Sequence, residues 1–180
     1  LTAVDRVRAD GTAGVGAACD QSSHPYIVDC GYDLAGEMLA HLYGPLQPRG
    51  REPSARLQLF DQQAFTRDLP EHGLAGDGLV YVPEACRREP GCRIHVAFHG
   101  CAQNREAVGD AFAISGGLLA WADTNRIVVL FPQVGQGALN PQGCWDWWGY
   151  TGRDYLTAKA PQIVAVRRML EHLSKGAPRS

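Results

Sequence analysis

The sequence lacks an excess of charge of either sign, because its 180 residues include 17 Lys and Arg against 19 Asp and Glu. That balance leaves no electrostatic footprint for nucleic acid or for an anionic membrane. Long apolar runs are also missing. The longest purely aliphatic or aromatic stretch is residues 127–131, far too short to cross a bilayer. The chain begins with neither a methionine nor an apolar signal-type segment, and we interpret its start as a processing or truncation point.

The sequence also lacks GxSxG, the motif that presents a nucleophilic serine on a sharp turn between a strand and a helix. Ser115 lies inside a helical pattern, and Ser22-Ser23-His24 has no strand before it, so we interpret the latter as a turn. The remaining serines are Ser54, Ser174 and Ser180. There is no CxxC pair and no pair of histidines at ligand spacing near a cysteine, so the sequence predicts no metal site.

What the sequence does contain is six cysteines. An even number in a loop-rich chain favours disulfides and an oxidising compartment. Six cysteines allow fifteen pairings, and their spacing leaves the choice open. The simplest arrangement is sequential, with the pairs Cys19–Cys30, Cys86–Cys92 and Cys101–Cys144.

The order of strand and helix patterns along the chain is that of the α/β class. Residues 1–32 predict an irregular segment pinned by a disulfide, and residues 33–180 predict one domain. Strands are predicted at 78–83 and 93–98, paired as a hairpin across a cross-linked turn, and a central strand buried on both faces at 127–131. The predicted helices are 33–43, capped by Asp33, then 105–122 and 158–173, with a long loop at 133–157.

His99-Gly100-Cys101 directly follows the apolar strand 93–98. Reaction sites of open α/β sheets lie at the carboxyl ends of strands. In α/β-hydrolases an HG pair marks the loop that gives one backbone N–H to the oxyanion hole. The alternative is a tight turn without chemistry. The strand before the turn, the cysteine after it and the downstream strand favour the functional interpretation.

Three of the four tryptophans lie in one loop, residues 144–150 (CWDWWGY). Tryptophan binds apolar or ring-shaped ligands efficiently, and large apolar patches are rarely left exposed without a role. We therefore expect Trp145 to line a substrate subsite and Trp147 or Trp148 to be mostly structural. Asp146 is expected to be solvated or bonded to the loop backbone, with no catalytic role. The alternative is that all three tryptophans pack into the core.

Together these residues resemble the extracellular poly(3-hydroxybutyrate) depolymerases of the type whose α/β-hydrolase fold is circularly permuted. The resemblance runs from about Cys19 to the closing helix, and the combination of HGC with GCWDWWGY carries it. It implies a partial α/β-hydrolase in permuted order, a three-layer sheet with flanking helices that is stabilised by disulfides. Residues 33–180 would be the C-terminal portion of a single catalytic domain. It also implies that the Cys101 backbone N–H serves the oxyanion hole, that Trp145 contacts substrate, and that a disulfide joins Cys101 to Cys144.

In that family the Ser, Asp and His of the triad precede the HGC segment, and residues 5–10, which correspond to the region of the triad histidine, hold no histidine. The resemblance thus implies a secreted serine esterase that hydrolyses poly(3-hydroxybutyrate) or related short-chain hydroxyalkanoate esters without metal or cofactor. This chain alone, lacking the nucleophile, is expected to be inactive. The expected partner is a polyester, with no nucleic acid or membrane, and the oligomeric state is left open.

Three alternatives remain from the sequence. The first is a non-catalytic, aromatic-rich polymer-binding protein on a hydrolase scaffold. The second is a relative of the feruloyl and acetylxylan esterases, which share a similar pattern of HGC followed by CW without permutation. The third is a disulfide-stabilised secreted domain with no chemistry of its own.

Overall fold

The structure is a computed structural model and describes residues 2–4 and 17–175. The strands in chain order are β1 (Thr2–Val4), β2 (Ala17–Ala18), β3 (Ile27–Asp29), β4 (Gln58–Asp61), β5 (Asp77–Tyr81), β6 (Arg93–Val96) and β7 (Ile127–Phe131). The helices are α1 (Leu34–Tyr43), α2 (Glu84–Arg88), α3 (Arg105–Val108), α4 (Ala111–Ser115), α5 (Leu118–Thr124) and α6 (Pro161–Lys175), with a 3-10 turn at Gln63–Phe65. A mixed sheet flanked by helices makes this an α/β protein, as the sequence predicts.

β7 lies inside the main sheet, whose strand order is β4-β5-β7-β6. It runs antiparallel to β5 and parallel to β6, and all five of its residues are buried. A continuous apolar run suits a strand that is covered on both faces. The prediction of a buried central strand at 127–131 is therefore confirmed.

The predicted hairpin between residues 78–83 and 93–98 is wrong. β5 and β6 do not pair with each other, because β7 lies between them. The chain leaves β6, passes through α3, α4 and α5, and returns as β7 parallel to β6. This is the connection that parallel strands require, since a tight turn joins only antiparallel neighbours.

Helices cover both faces of the sheet. On one face, side chains of α1 and α5 such as Leu39 and Leu119 pack against Tyr81 and Val129. On the other face, Met169 of α6 packs in a cluster with residues that include Leu130. The result is three layers, consistent with the layered arrangement that the sequence led us to expect.

Asp33 joins the start of α1 to α5. Its carboxylate caps α1 by accepting the Gly36 N–H at 2.9 Å, and it also accepts the Trp121 indole N–H at 2.8 Å. Gly36 permits this contact, because a Cβ at that position would lie 2.6 Å from the Trp121 ring. The predicted N-cap at Asp33 is confirmed.

The prediction that residues 1–32 are irregular is wrong for their described part. β1, β3 and β2 form a small parallel sheet in that order, in which Val28 of β3 lies opposite Ala3 and Ala17. These pairings join residues that are distant along the chain, so no local pattern signals them. The segment is pinned by a disulfide between Cys19 and Cys30, and residues 5–16 lie outside the described residues.

The single helix predicted at 105–122 is also wrong. The segment forms the three short helices α3, α4 and α5. Gly109 and Gly117 end or separate them with φ values of 58° and 82°, which lie in the left-handed region that glycine adopts at no steric cost. The division into short helices turns the chain after β6 and leaves the residues that precede α3 at the end of the strand.

Candidate functional site

The turn His99-Gly100-Cys101 lies just beyond the carboxyl end of β6. Because β6 and β7 are parallel, the residues that follow each strand meet at the same edge of the sheet. The Ala97 N–H still bonds the Leu130 carbonyl at 2.9 Å, and beyond it the Val134 N–H donates to His99 Nε2 at 3.2 Å. Two strand ends are thereby joined at the candidate site.

His99 is a buried, neutral clamp and not a free base. Its Nδ1 lies 2.8 Å from the Gly100 carbonyl and must donate to it, while its Nε2 accepts the Val134 N–H. Burial lowers the pKa of His99, and the bond to the Gly100 carbonyl opposes that effect only in part. Both ring nitrogens are occupied, so His99 orients the turn.

The peptide unit between Gly100 and Cys101 is fixed through its carbonyl, which accepts from both His99 Nδ1 and the Gln103 N–H, the latter at 3.1 Å. In a planar trans peptide the N–H points opposite to the C=O. The Cys101 N–H therefore points away from these two partners, and within the described ranges it has no hydrogen-bond acceptor.

The amides on either side of Cys101 are both engaged. The Gly100 N–H donates to the Gln103 side chain at 3.2 Å, and the Ala102 N–H donates to the Gln142 carbonyl at 2.7 Å. Ala102 has a φ of 56°, an uncommon left-handed conformation for a residue with a Cβ. One unengaged, oriented N–H in an exposed turn is what an oxyanion hole requires of this segment.

A disulfide joins Cys101 to Cys144, with the two Cα atoms 4.3 Å apart across 43 residues of chain. Disulfides also join Cys19 to Cys30 and Cys86 to Cys92, so the structure contains the three pairs of the sequential arrangement. The Cys101–Cys144 bond places the loop at residues 144–150 beside the turn after β6.

Trp145 is partly buried next to this turn. Its ring lies edge-on to Phe98 at 4.8 Å between centroids, and tilted against His99 at 5.7 Å. Phe98 is itself exposed, so the two rings form an apolar surface beside the turn that contains Cys101. The Trp145 indole N–H is buried without an acceptor in the described part of the chain.

The conformation of residues 144–150, which we call the aromatic loop, depends on Asp146. Its Oδ1 accepts the N–H groups of Trp148, Gly149 and Tyr150, at 3.1, 2.6 and 3.1 Å. Its Oδ2 accepts the Thr151 N–H at 2.8 Å and the Thr151 hydroxyl at 2.6 Å. Burial alone would raise the pKa of the Asp146 carboxyl, but these hydrogen bonds outweigh it and the pKa lies below its usual value.

The expectation that Trp147 or Trp148 is mostly structural is wrong. Their side chains are 70% and 41% exposed, and they contact each other edge-on at 5.2 Å. The bonds to Asp146 curl the backbone into a compact turn, which directs these two rings outward. The structure thus assigns Asp146 to the loop backbone, one of the two possibilities that the sequence left open.

Two buried polar side chains of the site are not predicted by any local sequence pattern described above. Gln103 and Asn104 follow the turn directly, and both are buried with their amide groups bonded to backbone. Asn104 caps α3 by accepting the Ala107 N–H and donates to the Val134 carbonyl at 2.9 Å. Two consecutive amide residues between a strand and a short helix could have suggested a buried polar cluster.

None of the serines between residues 17 and 175 pairs with a histidine. The Ser54 hydroxyl donates to Asp123, and the Ser174 hydroxyl donates to the Glu171 carbonyl. His24 Nε2 contacts the Ala107 carbonyl and no serine hydroxyl. Ser180 lies outside the described residues. The described part of the chain therefore contains no Ser–His pair of the kind that a triad needs.

The part of the chain that the structure describes has neither a metal-binding cluster nor a membrane-spanning helix. No group of three or more His, Cys, Asp or Glu side chains is placed to hold a metal ion. None of the described helices combines the length and the apolar character that a membrane span needs.

The chain is similar to two curated polyhydroxybutyrate depolymerases. It is 41% identical over 169 residues to a poly(3-hydroxybutyrate) depolymerase of Delftia acidovorans, across 92% of this chain and 33% of the relative. It is 33% identical over 171 residues to a polyhydroxybutyrate depolymerase of Talaromyces funiculosus, across 88% of this chain and 50% of the relative. The chain thus spans between a third and half of the length of these relatives. No family model matches it.

Two solved structures share the fold. The PHB depolymerase from Penicillium funiculosum matches with a TM-score of 0.85, and a PHB depolymerase complexed with an R3HB trimer matches with a TM-score of 0.88. Both are 30% identical to this chain, and both alignments cover 98% of it and 57% of the solved chain.

Proposed function

Because the chain belongs to the poly(3-hydroxybutyrate) depolymerase family, we propose that it forms the oxyanion and substrate-binding part of a secreted serine esterase that hydrolyses poly(3-hydroxybutyrate) or related short-chain hydroxyalkanoate esters. The observation that carries the proposal is the oriented Cys101 N–H, unengaged and held beside Trp145 by a disulfide. Ester hydrolysis proceeds through a tetrahedral oxyanion, and a preorganised N–H stabilises it by about 3 kcal/mol.

Trp145 is proposed as the residue that contacts the polyester. Its ring and the neighbouring Phe98 offer an apolar surface to the methyl-bearing backbone of a hydroxybutyrate chain. The buried indole N–H lacks an acceptor, and an unsatisfied donor of this kind costs about 1–3 kcal/mol. An ester carbonyl oxygen is the kind of acceptor that this N–H lacks, so Trp145 is proposed to offer the substrate both an apolar and a polar contact.

The nucleophile is proposed to come from outside these 180 residues. The described serines have no histidine partner, and the sequence has no GxSxG. The chain would then be the C-terminal portion of a circularly permuted α/β-hydrolase, in which Ser, Asp and His of the triad precede it. Hydrolysis would proceed through an acyl-enzyme, without metal or cofactor, and the oxyanion of each tetrahedral intermediate would accept from the Cys101 N–H. The three disulfides favour an oxidising, extracellular location.

A second candidate is a polymer-binding protein without catalysis. The absence of a Ser–His pair in the described part of the chain favours it, because the described residues include the aromatic loop but no pairing of a nucleophile with a base. The two candidates share Trp145 and differ in activity, so hydrolysis by the complete gene product separates them.

The test measures binding and hydrolysis separately. Calorimetry with an R-3-hydroxybutyrate trimer should show binding, and Trp145→Ala should lower the affinity at least tenfold. Trp145→Phe keeps the apolar contact and should lose only the part of the affinity that depends on the indole N–H. Trp121→Phe is the matched control, because Trp121 packs against Gly36 on the other helical layer and should leave trimer affinity within twofold. Unchanged affinity in Trp145→Ala would refute the assigned subsite.

For hydrolysis, the complete gene product should cleave a short-chain p-nitrophenyl ester and the 180-residue chain should not. The proposal that the nucleophile lies outside these 180 residues is refuted if the 180-residue chain cleaves the ester and loses that activity when one of its own serines is replaced by alanine. An inactive gene product that still binds the trimer through Trp145 would favour the second candidate.

A further inference from the structure

The side chain of Gln103 joins two disulfide-bonded segments of the chain. It is 4% exposed, and both ends of its amide are bonded. The Oε1 atom accepts the Gly100 N–H at 3.2 Å, and Nε2 donates to the carbonyls of Pro25 and Tyr26 at 3.2 and 3.0 Å. Pro25 and Tyr26 belong to the loop closed by the Cys19–Cys30 disulfide, which we call the cystine loop (residues 19–30).

The chemistry of the contact requires an amide side chain. One end must accept an N–H and the other must donate to two carbonyl oxygens, and of the charge-free side chains of this length only glutamine does both. Gly100 is part of the same fit, because a Cβ at position 100 would lie 2.8 Å from Gln103 Oε1. Gly100 and Gln103 therefore form one unit, with the Cys101 N–H between them.

The cystine loop is attached to the region of the site at a second point as well. His24 Nε2 lies 3.0 Å from the Ala107 carbonyl of α3. The cystine loop thus contacts the segment after β6 at two points. The first is the Gln103 side chain, and the second is the Ala107 carbonyl, one helical turn further on. Replacing either contact by water would leave the position of the loop relative to the turn less defined.

We propose that Gln103 is a positioning residue that couples the cystine loop to the turn His99-Gly100-Cys101 and so holds the Cys101 N–H in the orientation that an oxyanion hole needs. The proposal rests on the proposed function for its effect on catalysis, but the coupling itself is a property of the fold. The loop braces Gln103, Gln103 holds the Gly100 N–H, and the Gly100–Cys101 peptide follows. Loss of the brace should therefore affect the transition state and not the affinity for substrate.

The test compares Gln103→Met with Gln62→Met in the complete gene product. Gln62 is a matched control, because it is fully buried and also makes three hydrogen bonds to backbone, to Ala75 and Gln133. For a soluble ester, Gln103→Met should lower kcat about tenfold or more, part of the loss expected when an oxyanion donor is removed altogether, with KM within about twofold. Gln62→Met should destabilise the protein to a similar degree and leave kcat within about twofold.

Gln103→Glu supplies a pH signature. A carboxylate in place of the amide would face the two carbonyls of the cystine loop, whereas the protonated acid can donate to one of them. The kcat of Gln103→Glu relative to wild type should therefore rise as the pH is lowered. A ratio that does not depend on pH would contradict the donating role of Nε2.

A double-mutant cycle tests the path from the loop. Replacing Cys19 and Cys30 by alanine should lower kcat in the wild-type background and add less than about twofold in Gln103→Met, because both changes remove the same brace. Fully additive effects on kcat would overturn the proposal. A kcat that stays at the wild-type value both in Gln103→Met and in the variant without the Cys19–Cys30 disulfide would overturn it as well. If Gln103→Met does not fold, the disulfide-free variant with Gln103 intact carries the test through the same kcat and KM measurements.

Amide hydrogen exchange separates this proposal from the proposed function. In wild type and Gln62→Met the Gly100 N–H should exchange slowly, and in Gln103→Met its exchange should speed up at least tenfold. If the wild-type protein hydrolyses no ester, the proposed function fails while faster exchange still supports the coupling. Unchanged exchange at Gly100 overturns the coupling whatever the activity.

Discussion

Removing the carboxylate of Asp146 should open the aromatic loop and destabilise the protein. Asp146→Ala leaves four backbone N–H groups and one hydroxyl without their acceptor. The N–H of Trp148 lies in an exposed residue and can rebind water at small cost. Thr151 is 7% exposed, so its N–H and hydroxyl become buried and unsatisfied, at about 1–3 kcal/mol each. We expect a total loss of about 3 kcal/mol in the free energy of unfolding.

The assay is urea unfolding at pH 7, followed by tryptophan fluorescence and by far-ultraviolet circular dichroism. Asp146→Asn keeps one oxygen acceptor and should lose about half as much. Asp154→Ala is the control in the same long loop, because Asp154 is exposed and, among the described residues, only its backbone carbonyl is hydrogen-bonded, accepting from the Thr157 N–H and the Thr157 hydroxyl. That control should remain within about 0.5 kcal/mol of wild type.

The pH dependence gives this prediction a second check. The folded-state pKa of Asp146 lies below the unfolded value of about 4, so the carboxylate stabilises the fold above that pH and its contribution is lost as the pH falls through the lower folded value. The difference between wild type and Asp146→Asn should therefore shrink below pH 4. A loss under about 1 kcal/mol in Asp146→Ala, or a difference that stays constant from pH 7 to pH 3, would refute the reasoning.

Two other predictions concern the buried polar groups around the site. Burial lowers the pKa of His95 and of His99 below the unfolded value of about 6.5. Each neutral histidine therefore contributes to stability above that pH, and the free energy of unfolding falls by up to about 1.4 kcal/mol per pH unit and histidine as the pH is lowered. Unfolding free energies at pH 7.5 and 5.5 that agree within error would contradict this. Gly143→Ala should cost about 2 kcal/mol or more, because Gly143 has a φ of 57° and a Cβ there would lie 2.4 Å from Asn104 Nδ2. Gly137→Ala meets no atom within 4 Å, and its unfolding free energy should match that of wild type; equal losses in the two variants would show that the contact with Asn104 is not the cause.

The sequence predicts the elements of the sheet better than their pairing. Residues 127–131 form an apolar run that Pro132 ends, and such a local pattern identifies a buried strand without further information. Pairing depends on where the chain returns. The wrong hairpin joined neighbours in sequence, although the helical segment between residues 98 and 127 is the length and type of connection that places two strands parallel and adjacent. That rule would have placed β7 beside β6.

The candidate site was predictable where it depends on covalent and local features. The HGC turn lies at a strand end, and Cys101 and Cys144 bring Trp145 to it, although the roles of Cys101 and Trp145 remain proposals. No local pattern predicts the bonds from Gln103 to Pro25 and Tyr26, which lie 78 and 77 positions earlier in the chain. The outward orientation of Trp147 has no local pattern either. Both depend on which backbone groups a side-chain amide or carboxylate reaches once the chain has folded.

The covalent link across the site has a practical consequence for anyone who produces this protein. Closing a 43-residue segment removes conformational freedom from the unfolded chain worth about 4 kcal/mol in a chain-entropy treatment, more than the shorter segments closed by the other two cystines. Expression in a reducing bacterial cytosol would forgo that contribution at the very segment that presents the amide donor. Material made there would lack the bond that holds the Trp145 loop beside the turn after β6, so periplasmic export or oxidative refolding belongs in the first purification scheme.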